Sequence, residues 1–97
     1  MRAAVATVLK ELGKADILVN SAGGARAVPA VELSDDDWNY VMDINISGLF
    51  YCCREFGKEM IKKQYGRIIN IASVFGLAGN VFLPEANYHA SKGAVVN

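Results

Sequence analysis

Tyr88 and Lys92 stand four positions apart in "NYHASKGAVVN" (87–97), and a helix there would stack a phenol and an ammonium on one face. Such a pair can move a proton. A free phenol titrates near ~10, and a neighbouring cation favours its phenolate, which brings a proton-transfer group closer to working pH. The same spacing also suits an ordinary solvated contact, so the residues that converge with the pair decide its meaning. Ser73 ends the apolar run "RIINIAS" (67–73), and "NSAGG" (20–24) follows the run that begins at Ile17. A hydroxyl next to a reacting oxygen stabilises charge developing there. His89 is the only histidine and has no second ligand near it, so no metal site is expected.

These residues need elements to hold them. Val5, Val8, Leu9 and Leu12 recur at helical spacing over residues 2–12, and Gly13 follows where a C-terminal cap belongs. "ILVN" then reads as a buried strand, 17–21, running into a glycine loop. Residues 24–33 read as a loop, in which Arg26 is expected to be a solvated charge. Ser34 before Asp35, Asp36 and Asp37 is an N-cap signal with carboxylates at the positive end of the helix dipole. A long helix is expected from there to about Lys63, with a stripe from Trp38 through Val41, Leu49, Cys53 and Phe56 to Met60 serving as core or subunit interface. Asn45 interrupts the stripe. "RIINIAS" reads as a second buried strand, the stretch after it as a loop with Glu85 another solvated charge, and a further helix starts near Asn87. Helix, strand, helix, strand, helix is the order of an α/β fold with a parallel sheet. In such sheets ligands bind beyond the carboxyl ends of the strands, where Asn20 to Gly24, Ser73 and the Tyr88 helix all fall.

Composition narrows the class. Ninety-seven residues make at most one domain, and a hydrophobic content of 53% suggests more apolar surface than so short a chain can cover alone. Ten basic and ten acidic residues give no net field toward nucleic acid or anionic lipid, so neither partner is expected. Cys52 and Cys53 are adjacent on a helix, where their side chains diverge, so free thiols in a reducing cytoplasm are expected. No apolar run approaches the ~20 residues of a membrane helix.

"LVNSAGG", "DINISG", "GRIINIAS" and "YHASKGA", in this order and at these intervals, resemble the middle of a short-chain dehydrogenase/reductase. The likeness covers nearly the whole chain, and four motifs in register are far more specific than a lone Tyr-x-x-x-Lys. It implies a partial Rossmann-type doubly wound parallel sheet, the central βαβα portion only, with residues 1–97 an interior piece of one NAD(P)-binding domain. Implied roles follow residue by residue. Tyr88 is the general acid/base, Ser73 binds the substrate carbonyl or alcohol, and Lys92 contacts the nicotinamide ribose. Asn45 marks the helix kink whose backbone holds a water of the proton relay. Asn20, Ala22 and Gly23 flank the adenosine side of the cofactor, Asn20 also tying neighbouring strands. The implied activity is NAD- or NADP-dependent interconversion of a secondary alcohol and a ketone, as in 3-oxoacyl-carrier-protein reductases, by a homodimer or homotetramer.

Three departures from the family's pattern stand out. Ser21 replaces a second asparagine, and the fifteen residues from Ser73 to Tyr88 exceed the commonest spacing, so "NVFLPEA" is expected to reshape the pocket rim. The glycine-rich phosphate loop and the residue that chooses NAD or NADP are not in the sequence. Met1 is then expected to be a truncated start or an internal methionine. A non-catalytic remnant that acts only through protein contacts is the competing reading.

Overall fold

The computed structural model describes residues 1–97. Helix α1 (Arg2–Leu12) ends where Gly13 takes a left-handed φ of 75° and returns its N–H to the Leu9 carbonyl. Strand β1 (Ile17–Asn20) follows, one residue shorter than expected because Ser21 leaves the ladder. The chain crosses through helix α2 (Asp35–Met42), a π-helical segment (Asp43–Gly48) and helix α3 (Leu49–Lys63), and returns as strand β2 (Arg67–Asn70). β1 and β2 pair in parallel, from Ile17 opposite Arg67 to Asn20 opposite Asn70. A 3-10 turn (Val74–Gly76) and helix α4 (Ala86–Val96) complete the chain.

Local chemistry accounts for most of these boundaries. The Ser34 hydroxyl accepts from the Asp37 N–H at 3.1 Å, and three aspartates occupy the first turn of α2. Lys62 and Lys63 lie at the negative end of α3, whose stop is made by Gln64 at φ 56°. The Lys63 ammonium reaches Asp16 and the Ala15 carbonyl, tying the end of α3 to the entry of β1. Lys63 and then Lys14 hold the Asp16 carboxyl below its usual range.

The expectation of buried strands is not met within this chain. Ile17, Val19, Ile68, Ile69 and Ile71 are all exposed, because no element lies across most of the two-stranded sheet. Only Val5, Val41 and Met60 are buried apolar residues. The accessible surface is 6393 Å², against about 5,400 Å² for a folded monomer of this mass. A radius of gyration of 15.6 Å likewise exceeds the ~12.5 Å of a compact domain of this length. The apolar faces of both strands are therefore shaped for cover that these residues do not provide.

The stripe along the long helix divides unequally. Met60 and Val41 are buried, whereas Trp38 is 39% exposed. Cys53 faces the sheet, its sulfur 3.3 Å from Asn20 Nδ2, so the apolar side of α3 expected to meet another subunit is partly turned inward. The outward apolar residues are Phe50, Tyr51 and Ile61, with the Arg54 guanidinium over the first two rings. Both cysteines are free, and burial together with the neighbouring Cys53 pushes the Cys52 thiol up.

Gly76 positions α4. A Cβ there would lie 2.5 Å from the Lys92 carbonyl oxygen and 2.8 Å from its carbon, so only glycine lets the 3-10 turn rest on the helix backbone. Gly76→Ala is expected to destabilise by about 1–3 kcal/mol, through overpacking against backbone that cannot swing aside. An unchanged urea midpoint would show that α4 moves away without cost.

Candidate active site

The site is assembled at the carboxyl ends of β1 and β2. Pairing runs one bond beyond the ladder, from the Ile71 N–H to the Asn20 carbonyl at 2.9 Å. There the strands part, because the Ile71 carbonyl accepts from the Lys92 ammonium at 3.1 Å rather than from a strand. Lys92 is 7% exposed, so a charged side chain of α4 is held almost wholly inside by this bond.

Around that ammonium the chain opens a cleft of about 550 Å³. Gly23 and Gly24 line it from the loop after β1, Ser73 and Phe75 from the segment after β2, and Tyr88 with Lys92 from α4. Tyr88 and Lys92 share a helix face as their spacing requires, the ammonium 5.7 Å from the ring centroid. Phe75 meets the Tyr88 ring edge to face at 6.4 Å and stacks on His89 at 4.7 Å, which fixes the first turn of α4 from one side. Ser73 lies three residues beyond β2 rather than at its end, and its hydroxyl accepts from the Phe75 N–H at 3.2 Å.

Asn45 lies behind the cleft, within the π-helical segment, and is 1% exposed. Its amide pairs both ways with the backbone of Gly24, accepting from the N–H at 2.8 Å and donating to the carbonyl at 2.9 Å. It donates also to the Ser91 hydroxyl at 2.8 Å, and that hydroxyl donates to the Tyr88 carbonyl at 2.9 Å. One asparagine thus joins the glycine loop, the long helix and the Tyr88 turn. Its neighbourhood is irregular as expected, and the π-helical winding gives that irregularity its form.

The other expected residues sit differently. Asn20 donates to the Asn70 side chain across the strand pair at 2.8 Å and is a tie between strands. Ala22 lines a separate, more apolar hollow with Leu18, Ile44, Gly48 and Cys52. Gly23 belongs to the cleft, and a Cβ on it would stand 3.4 Å from Asn45 Oδ1 and 3.7 Å from Lys92 Nζ. The structure therefore brings Gly23, Ser73, Tyr88 and Lys92 together, sets Asn45 directly behind them, and leaves Asn20 and Ala22 outside the cleft.

Neither charge expected to be solvated is idle. The Arg26 guanidinium lies 3.9 Å from the Tyr40 ring centroid and 3.4 Å from Asp37, which fastens the glycine loop to α2. Glu85 lines the cleft. Two further residues carried no sequence signal that was read. Ser91 and Asn87 are fully buried, and the Asn87 side-chain oxygen, in the first turn of α4, accepts from the Tyr88 N–H at 2.8 Å. An asparagine opening a helix and a hydroxyl three positions after Tyr88 are the signals that point to them. Ser91→Ala is expected to cost about 1–3 kcal/mol, since one Asn45 N–H is left buried without an acceptor. Equal stability of the variant in denaturant titration would remove Ser91 from the network.

Comparison with known proteins adds to this geometry. The profile described as short chain dehydrogenase matches residues 1–97. Galactitol 2-dehydrogenase of Rhizobium johnstonii is 45% identical over 95% of the chain, and a 3-oxoacyl-[acyl-carrier-protein] reductase of Synechocystis is 40% identical over 95%. Among solved structures, a gluconate 5-dehydrogenase from Burkholderia cenocepacia in complex with NADP and tartrate superposes with a TM-score of 0.90 at 38% identity over 97% of the chain. An NAD+-bound xylitol dehydrogenase superposes equally well, at 0.90 and 35% identity over 98%. The chain spans only 36–37% of the length of each of these proteins.

Proposed function

Because this chain belongs to the short-chain dehydrogenase family, we propose that it forms the catalytic middle of an oxidoreductase that interconverts a secondary alcohol and a ketone with NAD or NADP. The observation that carries the reading is the convergence of Ser73, Tyr88 and Lys92 on one cleft, with Asn45 locked behind it. The activity belongs to the complete polypeptide, since the relatives extend well beyond the matched segment.

The residues fit a nicotinamide dinucleotide. The cleft lining from the loop after β1, Ser21, Gly23, Gly24 and Ala25, is made of small residues that let a ligand approach backbone. A bound nicotinamide dinucleotide would supply the hydride acceptor or donor for the alcohol–ketone interconversion. The remaining work falls to this chain. Tyr88 takes the alcohol proton as the carbonyl forms, or gives it back on reduction. Ser73 hydrogen-bonds the same oxygen and opposes its charge build-up. Lys92 would hold the ribose, and it supplies positive charge beside Tyr88, while its bond to Ile71 fixes the ammonium in place. Asn45 keeps the loop after β1 and the Tyr88 turn in register, and a backbone carbonyl of the π-helical segment would hold a water of the proton relay. Gly23 lines the cleft, whereas Asn20 and Ala22 would border the adenosine side from the neighbouring hollow.

The substrates are small alcohols or ketones, in the manner of the sugar-alcohol and oxoacyl relatives. The complete protein works as a cytoplasmic homodimer or homotetramer, a state supported by the outward Phe50, Tyr51 and Ile61 of α3 and testable by light scattering. The uncovered strand residues favour a second reading, a non-catalytic remnant that binds a protein partner. Following nicotinamide absorbance while the complete polypeptide meets a panel of secondary alcohols and ketones, with NAD(H) and NADP(H), separates the two. Turnover of any member supports the enzyme; silence across the panel with both cofactors favours the remnant.

A further inference from the structure

The long interval between Ser73 and Tyr88 places Leu83 and Glu85, in addition to Phe75, on the wall of the cleft. Leu83 and Glu85 also border an adjoining hollow of about 390 Å³, where Asn80 and His89 stand. Glu85 is the only carboxylate of the cleft, and its side chain makes no ion pair and no hydrogen bond within the chain. Its backbone alone is engaged, the carbonyl taking the His89 N–H at 3.0 Å and facing His89 Nδ1 at 2.8 Å. The nearby Asn80 uses its side-chain oxygen on the Phe82 and Leu83 N–H groups, which leaves its amide hydrogens for another acceptor. Lys92, the only cation of the cleft, gives one N–H to the Ile71 carbonyl and lies beside the Tyr88 ring, and it makes no ion pair with Glu85. This wall of the cleft therefore offers hydrogen-bond capacity together with a carboxylate that no ion pair engages.

We infer that Glu85 is a specificity-determining residue that selects a neutral polyhydroxylated substrate, a polyol or ketose, over the corresponding sugar acid. The inference rests on the dehydrogenase reading above. A further substrate hydroxyl that reaches this wall donates to the carboxylate in a charge-assisted bond. A substrate carboxylate in the same place sets two like charges against each other in a partly buried cleft, with no cation paired to Glu85 to separate them. A plain secondary alcohol, having no second hydroxyl, is indifferent to Glu85.

The test uses the complete polypeptide and three probes: a hexitol, the matching hexonate and cyclohexanol. The parent protein should favour the hexitol over the hexonate by tenfold or more in kcat/KM. Glu85→Gln should lower the hexitol value by about tenfold, raise that of the hexonate, and leave cyclohexanol within about twofold. A hexitol-to-hexonate ratio unmoved by Glu85→Gln, or a parent that prefers the hexonate, overturns the inference while Tyr88-dependent oxidation of cyclohexanol keeps the dehydrogenase reading standing. Failure to oxidise any of the three with either dinucleotide overturns both.

Discussion

Replacing Tyr88 with phenylalanine in the complete polypeptide is expected to lower turnover by about 10²–10⁴-fold, with nicotinamide binding little changed. The substitution removes one oxygen and little else. The ring keeps its edge-to-face contact with Phe75 and its place beside the Lys92 ammonium, and the bond from the Tyr88 N–H to the Asn87 side-chain oxygen does not involve the phenol. Positioning is retained, so a large loss would report the missing proton carrier rather than a displaced helix. Steady-state kinetics paired with a cofactor titration separate the two effects. A variant as active as the parent would exclude Tyr88 from the reaction.

Lys92→Ala should do more than slow the chemistry. It removes the cation beside Tyr88 and the ribose contact, so both turnover and cofactor affinity should fall, each by tenfold or more. It also takes the donor from the Ile71 carbonyl, where the strands part, and a stability loss of about 1–3 kcal/mol is expected from that acceptor. Lys92→Met separates these contributions, because it keeps the buried stem while losing the charge. Both variants should lose cofactor binding if the ammonium is what matters, whereas Lys92→Met would bind normally if only the stem did. Normal cofactor affinity and an unaltered pH–rate profile in Lys92→Ala would count against its assigned part.

Much of the frame was legible in the sequence because its causes are local. The end of α1 at Gly13, the start of α2 at Ser34, and the stacking of Tyr88 over Lys92 each depend on residues within one or two turns of one another. Periodicity and β-branched runs likewise sufficed for the order of elements and for the parallel pair. The stop at Gln64 was less visible, since a left-handed residue other than glycine carries no strong signal of its own.

What only the tertiary structure decided involves partners far apart in the chain. Asn45 meets Gly24 across 21 residues and Ser91 across 46, so its amide is satisfied only after α2, the loop after β1 and α4 have come together. The same assembly turned Glu85 from an ordinary loop charge into a wall of the cleft, set Ala22 in a different hollow from Gly23, and faced Cys53 toward the strand tie rather than a neighbouring subunit. Side-chain spacing within one helix states which residues share a face. Which face is covered, and which polar group finds its partner there, follows from how separate elements pack, because burial and hydrogen bonding are satisfied between elements rather than along them.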